Sequence, residues 1–547
     1  MSQYSSWYHP YKPAKKYNKK VAYFSMEFAV DQALKIYSGG LGFLAGSHMR
    51  SGYDLKQNMI GIGMLWKFGY YDQFRAPNQH LQPAFVEKTY NYLEYSGIEV
   101  EIKIMDNAHV KVRAYVLKPE IFGTVPMYLL STDVEGNDHL SRTITDHLYD
   151  ANELTRISQS MVLGIGGAKV VEALGGADIY HLNEGHGLPA FYYLKDRGIS
   201  RDQMVFTTHT PEKAGNEERD ANFLNRIGFF GRTLSEDELH SQSLPNSMLS
   251  YTLAALRHSK RSNAVSKLHG VVSNDMWKEY DGISEIIAIT NAQHQMYWQD
   301  TAVLKSFEKR DGKAFSKRKT ELKRGLFHEV ANQTGKIFRE DVLTIVWARR
   351  FAGYKRADLL LRDLERLEKI LSNEKYPVQI IWAGKPYPKD GEAINVFNRL
   401  VDFTKHRSNC AVLVGYEMEL SRLLKEGTDI WLNNPRITRE ASGTSGMTAA
   451  MNGAVNLSTD DGWIPEFAKD GENCFVLPAI DHTLPVQHQD DIDATALYEI
   501  LENKVLPIYY DHPSQWIDIV FNSIEGVIPA FTSRRMAAEY YDRMYIA

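Results

Sequence analysis

A carboxylate followed by small residues is the most chemically informative segment of the chain. Glu440 precedes Ala-Ser-Gly-Thr-Ser-Gly, and a short helical run from Met447 to Gly453 follows. Backbone N–H groups at a helix N-terminus bind anions or sugar hydroxyls, and a carboxylate accepts hydrogen bonds from hydroxyls. The segment therefore predicts a site for a phosphate or a sugar, although alone it is equally typical of an ordinary helix start.

Four cations follow a predicted buried strand at 343–348. They are Arg349, Arg350, Lys355 and Arg356, with Gly353 and Tyr354 between them. Open parallel sheets bind ligands beyond the carboxyl ends of their strands. Arginine makes forked contacts with phosphate oxygens, and lysine adds a compact charge. The alternative is a solvated run of charge, against which the interrupting glycine and tyrosine argue.

A glycine-rich loop, Ser-Gly-Gly-Leu-Gly, lies at 38–42 between strand-like and helix-like segments. Its glycines let the backbone at Gly40 and Leu41 approach a ligand closely. The alternative for this motif is a tight turn.

Two histidines stand in polar loops near predicted strand ends. His209 lies in Thr-Thr-His-Thr-Pro, and His186 lies in Asn-Glu-Gly-His-Gly. A single histidine is either structural or functional, and His209 is the stronger functional candidate because its strand would end at a cleft. HExxH, paired CxxC, Walker and GxSxG motifs are absent from the sequence, so no metal site is predicted.

Short apolar, β-branched runs alternate with longer helical patterns, which is typical of parallel sheets. Leucines recur at helical spacing at Leu360, Leu364, Leu367 and Leu371. Two such sets of strands and helices predict an α/β protein with two doubly wound domains and a cleft between them. The predicted strands are 21–25, 178–182, 204–208, 270–273, 285–289, 343–348, 378–383, 411–414, 429–432 and 454–457.

The predicted domains are 1–300 and 301–520, with a junction in the polar stretch 291–341. A C-terminal helix at 521–547 is expected to cross back to the first domain. The chain has 547 residues, 44% of them hydrophobic, and a net charge of −5. This composition indicates a soluble globular protein and no nucleic-acid partner.

Cellular location is suggested by what the sequence lacks. Its cysteines are Cys410 and Cys474, which excludes a disulfide framework. No apolar run has the roughly 18 residues of a membrane-spanning helix, and the polar N-terminus resembles no signal peptide. A reducing cytoplasm is the expected location.

Many segments in the same order resemble the α-glucan phosphorylase family of glycogen, starch and maltodextrin phosphorylases. The matching segments lie at 22–28, 39–42, 209–210, 263–269, 290–291, 354–356, 440–444 and 461–462. The resemblance covers most of the chain, in a short version that lacks the regulatory N-terminal extension of the long animal enzymes.

The resemblance implies a GT-B fold, in which two Rossmann-like domains enclose the active site. The first domain would hold the glucan, and the second the phosphate or donor. The implied reaction is retaining glucosyl transfer between α-1,4-glucan or maltooligosaccharide ends and phosphate, with glucose 1-phosphate as product. A homodimer is one assembly that the sequence allows.

The resemblance also implies roles for individual residues. Arg350 and Lys355 would hold the substrate phosphate, opposite the backbone of Gly40 and Leu41. Thr444, Ser445 and Arg349 would face the phosphate of the family's cofactor. The residues implied for the glucosyl ring are His209, Asn291, Glu440, Ser442 and Gly443, and those implied for catalysis are Arg350, Lys355, His209 and Glu440.

Position 448 departs from the family. The family holds pyridoxal phosphate as a Schiff base on a lysine that follows Gly-Met or Gly-Asn-Met, and here Thr448 follows Gly-Met. Threonine has no amine, so covalent attachment at this position is excluded. The nearest lysines in sequence, Lys425 and Lys469, belong to other segments.

Three functions remain open at this point. The chain is a phosphorylase that binds pyridoxal phosphate non-covalently, or a glucan synthase-type enzyme that needs no pyridoxal phosphate. In the second case the diphosphate of a sugar nucleotide occupies the site, with Arg350 and Lys355 five residues apart as in such synthases. Many relatives of that type place a ribose-binding glutamate at the position of Thr448. The third function is an inactive glucan-binding protein.

Overall fold

The computed structural model describes residues 3–105 and 108–546, so Ala547 of the expected C-terminal helix lies outside the described residues. Two compact units make up the chain. Unit 1 comprises Met1–Tyr71, Phe85–Asn291 and Ser533–Ala547, and unit 2 comprises Asp72–Ala84 and Ala292–Thr532. The unit boundaries at 291/292 and 532/533 differ from the sequence-based boundaries at 300/301 and 520/521.

The strands and helices alternate through most of both units. The strands are β1 (Val21–Phe24), β2 (Met59–Met64), β3 (Asp72–Arg75), β4 (Leu81–Ala84), β5 (Glu94–Ile104), β6 (Ala108–Leu117), β7 (Met127–Ser131), β8 (Ile179–Asn183), β9 (Met204–Thr207), β10 (Glu218–Asp220), β11 (Met248–Ser250), β12 (Arg261–Ala264), β13 (Glu285–Ala288), β14 (Leu343–Ala348), β15 (Val378–Ala383), β16 (Cys410–Leu413), β17 (Ile430–Asn433), β18 (Val455–Ser458) and β19 (Phe475–Val476).

The α-helices are α1 (Gly40–Asp54), α2 (Pro119–Phe122), α3 (His139–Arg142), α4 (Glu153–Met161), α5 (Gly167–Ala173), α6 (Pro189–Asp196), α7 (Ala221–Ile227), α8 (Glu236–Gln242), α9 (Tyr251–His258), α10 (Lys267–Trp277), α11 (Gln295–Trp298), α12 (Thr301–Glu308), α13 (Gly312–Thr334), α14 (Leu364–Leu371), α15 (Gly391–Thr404), α16 (Met418–Gly427), α17 (Thr444–Met451), α18 (Ile464–Phe467), α19 (Val486–Ile500), α20 (Leu506–Asp511), α21 (Pro513–Ala530) and α22 (Ser533–Tyr540).

The large sheet of unit 1 is mostly parallel. Its strand order is β13-β12-β9-β8-β1-β2-β7-β6-β5, and only the pairs β5–β6 and β6–β7 are antiparallel. From β1 the chain moves to β2, continues to β5 at the far edge and returns inward through β6 and β7, and it then crosses to the other side of β1 at β8. This reversal is the switch point at which doubly wound sheets bind ligands.

The sheet of unit 2 has the order β16-β15-β14-β17-β18-β19 and is parallel throughout. Its switch point lies between β14 and β17. Successive side chains of a strand point to opposite faces, and here each face has its own buried cluster. Ile345 and Trp347 belong to one cluster, whereas Val346 and Ala348 belong to the other.

Most sequence-predicted strands are confirmed, with ends shifted by at most one residue. The predicted helix around the leucines is confirmed as α14, where Lys369 and Glu365 form an ion pair of 2.7 Å. Leu360 lies just before α14, in a 3₁₀ turn, Leu359–Arg362. Among the described residues, no helix is both long enough and apolar enough to cross a membrane.

The predicted strand at 270–273 is wrong, because these residues lie inside α10. The paired valines at this site suggested a strand. The Ser266 side chain, however, accepts a hydrogen bond from the His269 N–H and caps a helix there. Val271 is 69% exposed, which fits the outer face of a helix better than a buried strand.

The segment that follows unit 2 completes the core of unit 1. In α22 the Tyr540 hydroxyl accepts a hydrogen bond of 2.9 Å from the Asn263 amide, and it lies 3.3 Å from the Thr207 hydroxyl. Beyond α22, the Tyr545 hydroxyl lies 2.7 Å from His181 Nδ1, and the opposite ring nitrogen lies 2.7 Å from the Thr207 hydroxyl. Buried polar groups on β8, β9 and β12 thus obtain their partners from this segment.

Replacement of Tyr540 by phenylalanine is expected to lower the free energy of unfolding by about 1–3 kcal/mol, because the buried Asn263 amide loses a partner. Urea unfolding followed by circular dichroism measures the change. Tyr95→Phe serves as control, since Tyr95 is 46% exposed. Equal stabilities of the two variants would contradict a role for the Tyr540 hydroxyl.

Candidate functional site

The switch point of unit 2 gathers the sequence-predicted cations and the carboxylate. Arg349 directly follows β14, and Glu440 lies in the loop between β17 and α17. Since β14 and β17 are parallel neighbours, their carboxyl ends lie side by side. The order of the strands therefore brings together residues about ninety positions apart in sequence.

Glu440 forms ion pairs with two cations at once. Its Oε2 atom lies 2.8 Å from Arg349 Nη2 and 2.9 Å from Lys355 Nζ, and its Oε1 atom lies 3.2 Å from Lys355 Nζ. The three residues are between 5% and 9% exposed. Two cations and one carboxylate leave the buried cluster with a net charge of +1, which favours an anion beside it.

The protonation states of this cluster follow from burial and charge. Burial alone would raise the pKa of Glu440, but the charges of Arg349 and Lys355 outweigh it and lower the pKa to about 2. Neighbouring Asp461 has the opposite shift, since burial raises its pKa to about 7. Asp461 accepts the backbone N–H groups of Glu440 and Gly462 at 2.9 and 2.8 Å, so it holds the loop in shape.

The start of α17 lies against Arg349. Gly443, the residue before the helix, has φ +88°, which glycine adopts readily. A Cβ atom at this position would lie 3.4 Å from Glu440 Cγ and 3.5 Å from Arg349 Nη2. Arg349 Nη1 and the Ser442 hydroxyl are buried and have no hydrogen-bond partner in the part of the chain that the structure describes. Such groups at a helix N-terminus fit an anionic or hydroxyl-rich ligand.

The remaining predicted residues of unit 2 have different environments. Arg350 is exposed, Thr444 is buried in the first turn of α17, and Ser445 follows it half-buried. Arg356, the fourth cation of the run, is 2.7 Å from Asp493 and 3.1 Å from Asp490, and it donates to backbone carbonyls of the neighbouring loop. We assign Arg356 a structural role.

Thr448 lies inside α17 and is fully buried. Its hydroxyl donates a 3.0 Å hydrogen bond to the Ser445 carbonyl one turn earlier. The structure therefore fits pyridoxal phosphate in part. Arg349 and the helix start suit its phosphate, whereas position 448 offers no amine for a covalent link.

In unit 1 the glycine loop is held by a carboxylate that sequence reasoning did not single out. Glu27 accepts the N–H groups of Ser38 and Gly39 at 2.5 and 3.1 Å and the Tyr149 hydroxyl at 2.8 Å. Gly40 and Leu41 then begin α1. A Cβ atom on Gly39 or Gly40 would meet no protein atom within 4 Å, so the loop backbone is open on that side.

His209 follows β9 and is hydrogen-bonded to the last residue of β8, Asn183, and to Glu184, which follows it. Its ring atom Nε2 lies 2.7 Å from Asn183 Oδ1, and its backbone N–H donates to Glu184 Oε2 at 2.8 Å. Burial lowers the pKa of His209 to about 3, so the ring is neutral near pH 7. Because Asn183 Oδ1 accepts from Nε2–H, the Nδ1 atom keeps a lone pair for a hydroxyl donor. Glu184 was also missed from sequence, because only the fold brings it to His209.

The other predicted residues of unit 1 are buried as well. Asn291 is 3% exposed, and its Oδ1 atom has no hydrogen-bond partner among the described residues. Burial lowers the pKa of His186 to about 4, so its ring too is neutral near pH 7. Asn291 is thus available for a hydroxyl donor, as the resemblance implies for a glucosyl-binding residue.

Buried neutral histidines predict a loss of stability in mild acid. In the unfolded chain His209 has a pKa near 6.5, against about 3 when folded. Acidification below pH 6.5 therefore protonates the unfolded chain first and lowers the free energy of unfolding, until the folded ring also titrates. Between pH 7 and pH 5 one such histidine accounts for about 2 kcal/mol.

His209→Gln is expected to remove that share of the pH dependence, whereas His240→Gln, at an exposed position, leaves it unchanged. Urea unfolding at pH 7 and pH 5 gives the difference. An unchanged pH dependence in His209→Gln would contradict a buried neutral ring at this position.

Comparisons with known proteins agree with the geometry. The family model of carbohydrate phosphorylases matches residues 239–505. An uncharacterized protein of Methanocaldococcus jannaschii is 44% identical over 96% of this chain and 100% of its own length. Maltodextrin phosphorylase of Thermococcus litoralis is 35% identical over 100% of this chain and 72% of its own. Glycogen phosphorylase of Mycobacterium tuberculosis is 33% identical over 96% and 70%.

The family match, together with the large parallel sheets, confirms the GT-B fold class that the sequence predicts. The alignments with the two phosphorylases cover nearly all of this chain and more than two thirds of each relative's own length. The chain belongs to the carbohydrate phosphorylase family.

Proposed function

We propose that the chain is a retaining α-glucan glucosyltransferase that exchanges glucosyl units between the ends of α-1,4-glucans or maltooligosaccharides and a phosphate-bearing partner. The observation that carries this proposal is the cluster of Arg349, Lys355 and Glu440 at the switch point of unit 2. A buried cluster with a net positive charge beside a helix N-terminus suits a phosphate group.

Phosphate binding in this proposal rests on charge. Lys355 presents a compact ammonium group, and exposed Arg350, five residues earlier in the chain, adds a forked donor. Negative charge builds on the phosphate oxygens as the glucosyl bond breaks. Fixed cations stabilise that charge more strongly in a buried site than in water. Lys355 is therefore the residue with the largest expected effect on the rate.

Sugar binding rests on groups that exchange hydrogen bonds with hydroxyls. With its low pKa, the Glu440 carboxylate is ionised at neutral pH and accepts from sugar hydroxyls. His209 is neutral and hydrogen-bonded to Asn183, so it positions a hydroxyl and does not supply a proton. Ser442 and Asn291 offer buried oxygen atoms that have no partner among the described residues. This set supports front-face transfer, in which the incoming group attacks from the side of the leaving group.

Two donors are compatible with the cluster. With glucose 1-phosphate as donor, Arg349 and the start of α17 would hold the phosphate of pyridoxal phosphate, which would supply a proton donor or an electrostatic partner. With a sugar nucleotide, the diphosphate itself supplies both phosphates, and Thr448 favours this second donor because it cannot bind pyridoxal covalently. A glucan-binding protein without activity is the least supported function, because glucan binding alone needs no buried cations.

Replacement of Lys355 by methionine is expected to lower kcat at least about 100-fold, because the leaving group loses a fixed positive charge. The assay incubates maltooligosaccharide with phosphate and measures glucose 1-phosphate. Lys369→Met is the matched control, because Lys369 is exposed on α14 and pairs only with Glu365 in the described structure. Near-normal turnover by Lys355→Met would exclude the proposed role.

The donor itself is identified by chain extension of maltooligosaccharide. Glucose 1-phosphate and a panel of glucose nucleotides are offered separately, each with and without added pyridoxal phosphate. Extension from glucose 1-phosphate alone supports a phosphorylase, and extension from a nucleotide alone supports the synthase-type enzyme. Glucan binding without extension from any donor would contradict transferase activity.

A further inference from the structure

The backbone turn that contains Lys355 is held by groups from other parts of unit 2. Gly353–Lys355 form a 3₁₀ turn, and the next residue, Arg356, has φ +52° in the left-handed region. A residue with a Cβ atom adopts this conformation at a cost, so it persists only where neighbouring groups hold it. The position of the Lys355 amine therefore depends on the groups that contact this turn.

The loop after β17 supplies the first of these contacts. Arg436 donates from its backbone N–H to the Tyr354 carbonyl at 2.8 Å and from Nη1 to the Gly353 carbonyl at 3.3 Å. The Asn434 side-chain amide donates to the Arg356 carbonyl at 2.9 Å, and Arg356 Nε donates back to the Asn434 carbonyl at 2.8 Å. This loop thus binds three carbonyl groups in the turn and next to it.

A single carboxylate on α19 joins the two arginines of this arrangement. Asp490 Oδ1 lies 3.1 Å from Arg356 Nη1 and 3.0 Å from Arg436 Nε, and Asp490 Oδ2 lies 2.7 Å from Arg436 Nη2. Asp490 is 5% exposed, and burial alone would raise its pKa. The hydrogen bond and charge of Arg436, together with the charge of Arg356, outweigh burial and lower that pKa, so the carboxylate is ionised at neutral pH.

We propose that Asp490 is a positioning residue for Lys355. It fixes the side chains of Arg356 and Arg436, and these hold the turn so that the Lys355 amine stays 2.9 Å from Glu440. The inference rests on the proposed function, in which the Lys355 charge stabilises the leaving phosphate. A displacement of about 1 Å in a reacting group can cost on the order of 100-fold in rate, so a loosened turn would slow the transfer step.

The alternative is that Asp490 only stabilises unit 2. Asp493, one turn further along α19, lies 2.7 Å from Arg356, so Arg356 keeps one counter-charge when Asp490 is neutralised. A purely stabilising role predicts less folded protein and the same turnover per folded molecule. A positioning role predicts a loss of turnover that requires Lys355, because only then do the two residues act on the same step.

Asp490→Asn keeps the size of the side chain and removes its charge. In glucan extension from the active donor, this variant of the full chain is expected to lower kcat about 10-fold, because the Lys355 amine is no longer held in place. In a Lys355→Met background the same substitution is expected to change kcat less than about twofold, because no amine is left to misplace. Asp491→Asn is the matched control on the same helix, since Asp491 is exposed and lies 2.9 Å from Arg362; it should leave kcat unchanged.

A kcat of Asp490→Asn that equals the wild-type value would overturn the inference, and so would the same loss of kcat with and without Lys355. If Asp490→Asn does not fold, Arg436→Gln tests the same link. It removes the ion pair with Asp490 and keeps the backbone N–H that binds the Tyr354 carbonyl. The same Lys355-dependent loss is expected for this variant, and its absence would contradict the proposal.

Hydrogen exchange followed by mass spectrometry tests the positioning role without any activity. Faster exchange in Asp490→Asn that is confined to peptides around 353–356 and 434–436 supports the inference. Unchanged exchange in these peptides, or faster exchange throughout unit 2, would overturn it. Wild-type protein that extends glucan from no donor would contradict the proposed function, and the exchange result would still decide whether Asp490 holds the turn. Normal extension by both wild type and Asp490→Asn would leave the function standing without the inference.

Discussion

The double ion pair of Glu440 is the interaction on which the functional end of unit 2 depends. A buried carboxylate is unfavourable unless cations compensate it, and here Arg349 and Lys355 do so within 3 Å. The pair lies where the carboxyl ends of the parallel neighbours β14 and β17 meet, and the φ of +88° at Gly443, which glycine adopts readily, shapes the loop beside it. Asp461, whose burial raises its pKa, completes the arrangement by holding the loop backbone.

How much of this structure the sequence predicts depends on how far apart in sequence the interacting residues lie. The strands of unit 2 that the sequence predicts are recognisable because each is a short run buried on both faces, as in 343–348. The cations that follow this run are predictable too, because the end of the strand marks where a ligand site is expected. The strand prediction at 270–273 is wrong because two adjacent valines favour a strand, whereas the helix there is indicated only by one capping serine, Ser266. Glu27 and Glu184 have no local sequence signal, since their neighbours at the site come from distant segments.

Five lysines of unit 2 are buried, and they have different environments. Lys323 lies 2.6 Å from the Asp429 carboxylate, and Lys319 donates to two backbone carbonyls. Lys425 lies over the ring of Trp298, which stabilises a cation less strongly than a carboxylate would. The polar partners of Lys323 and Lys319 compensate the burial of their amines.

The path of the chain through its two units also has a consequence for biosynthesis. Unit 2 is complete once Thr532 has been made, whereas unit 1 still requires the segment that begins at Ser533. Until then His181, Thr207 and Asn263 lack the tyrosines that satisfy them. During translation the large sheet of unit 1 therefore remains incompletely packed until the segment that begins at Ser533 has been synthesised.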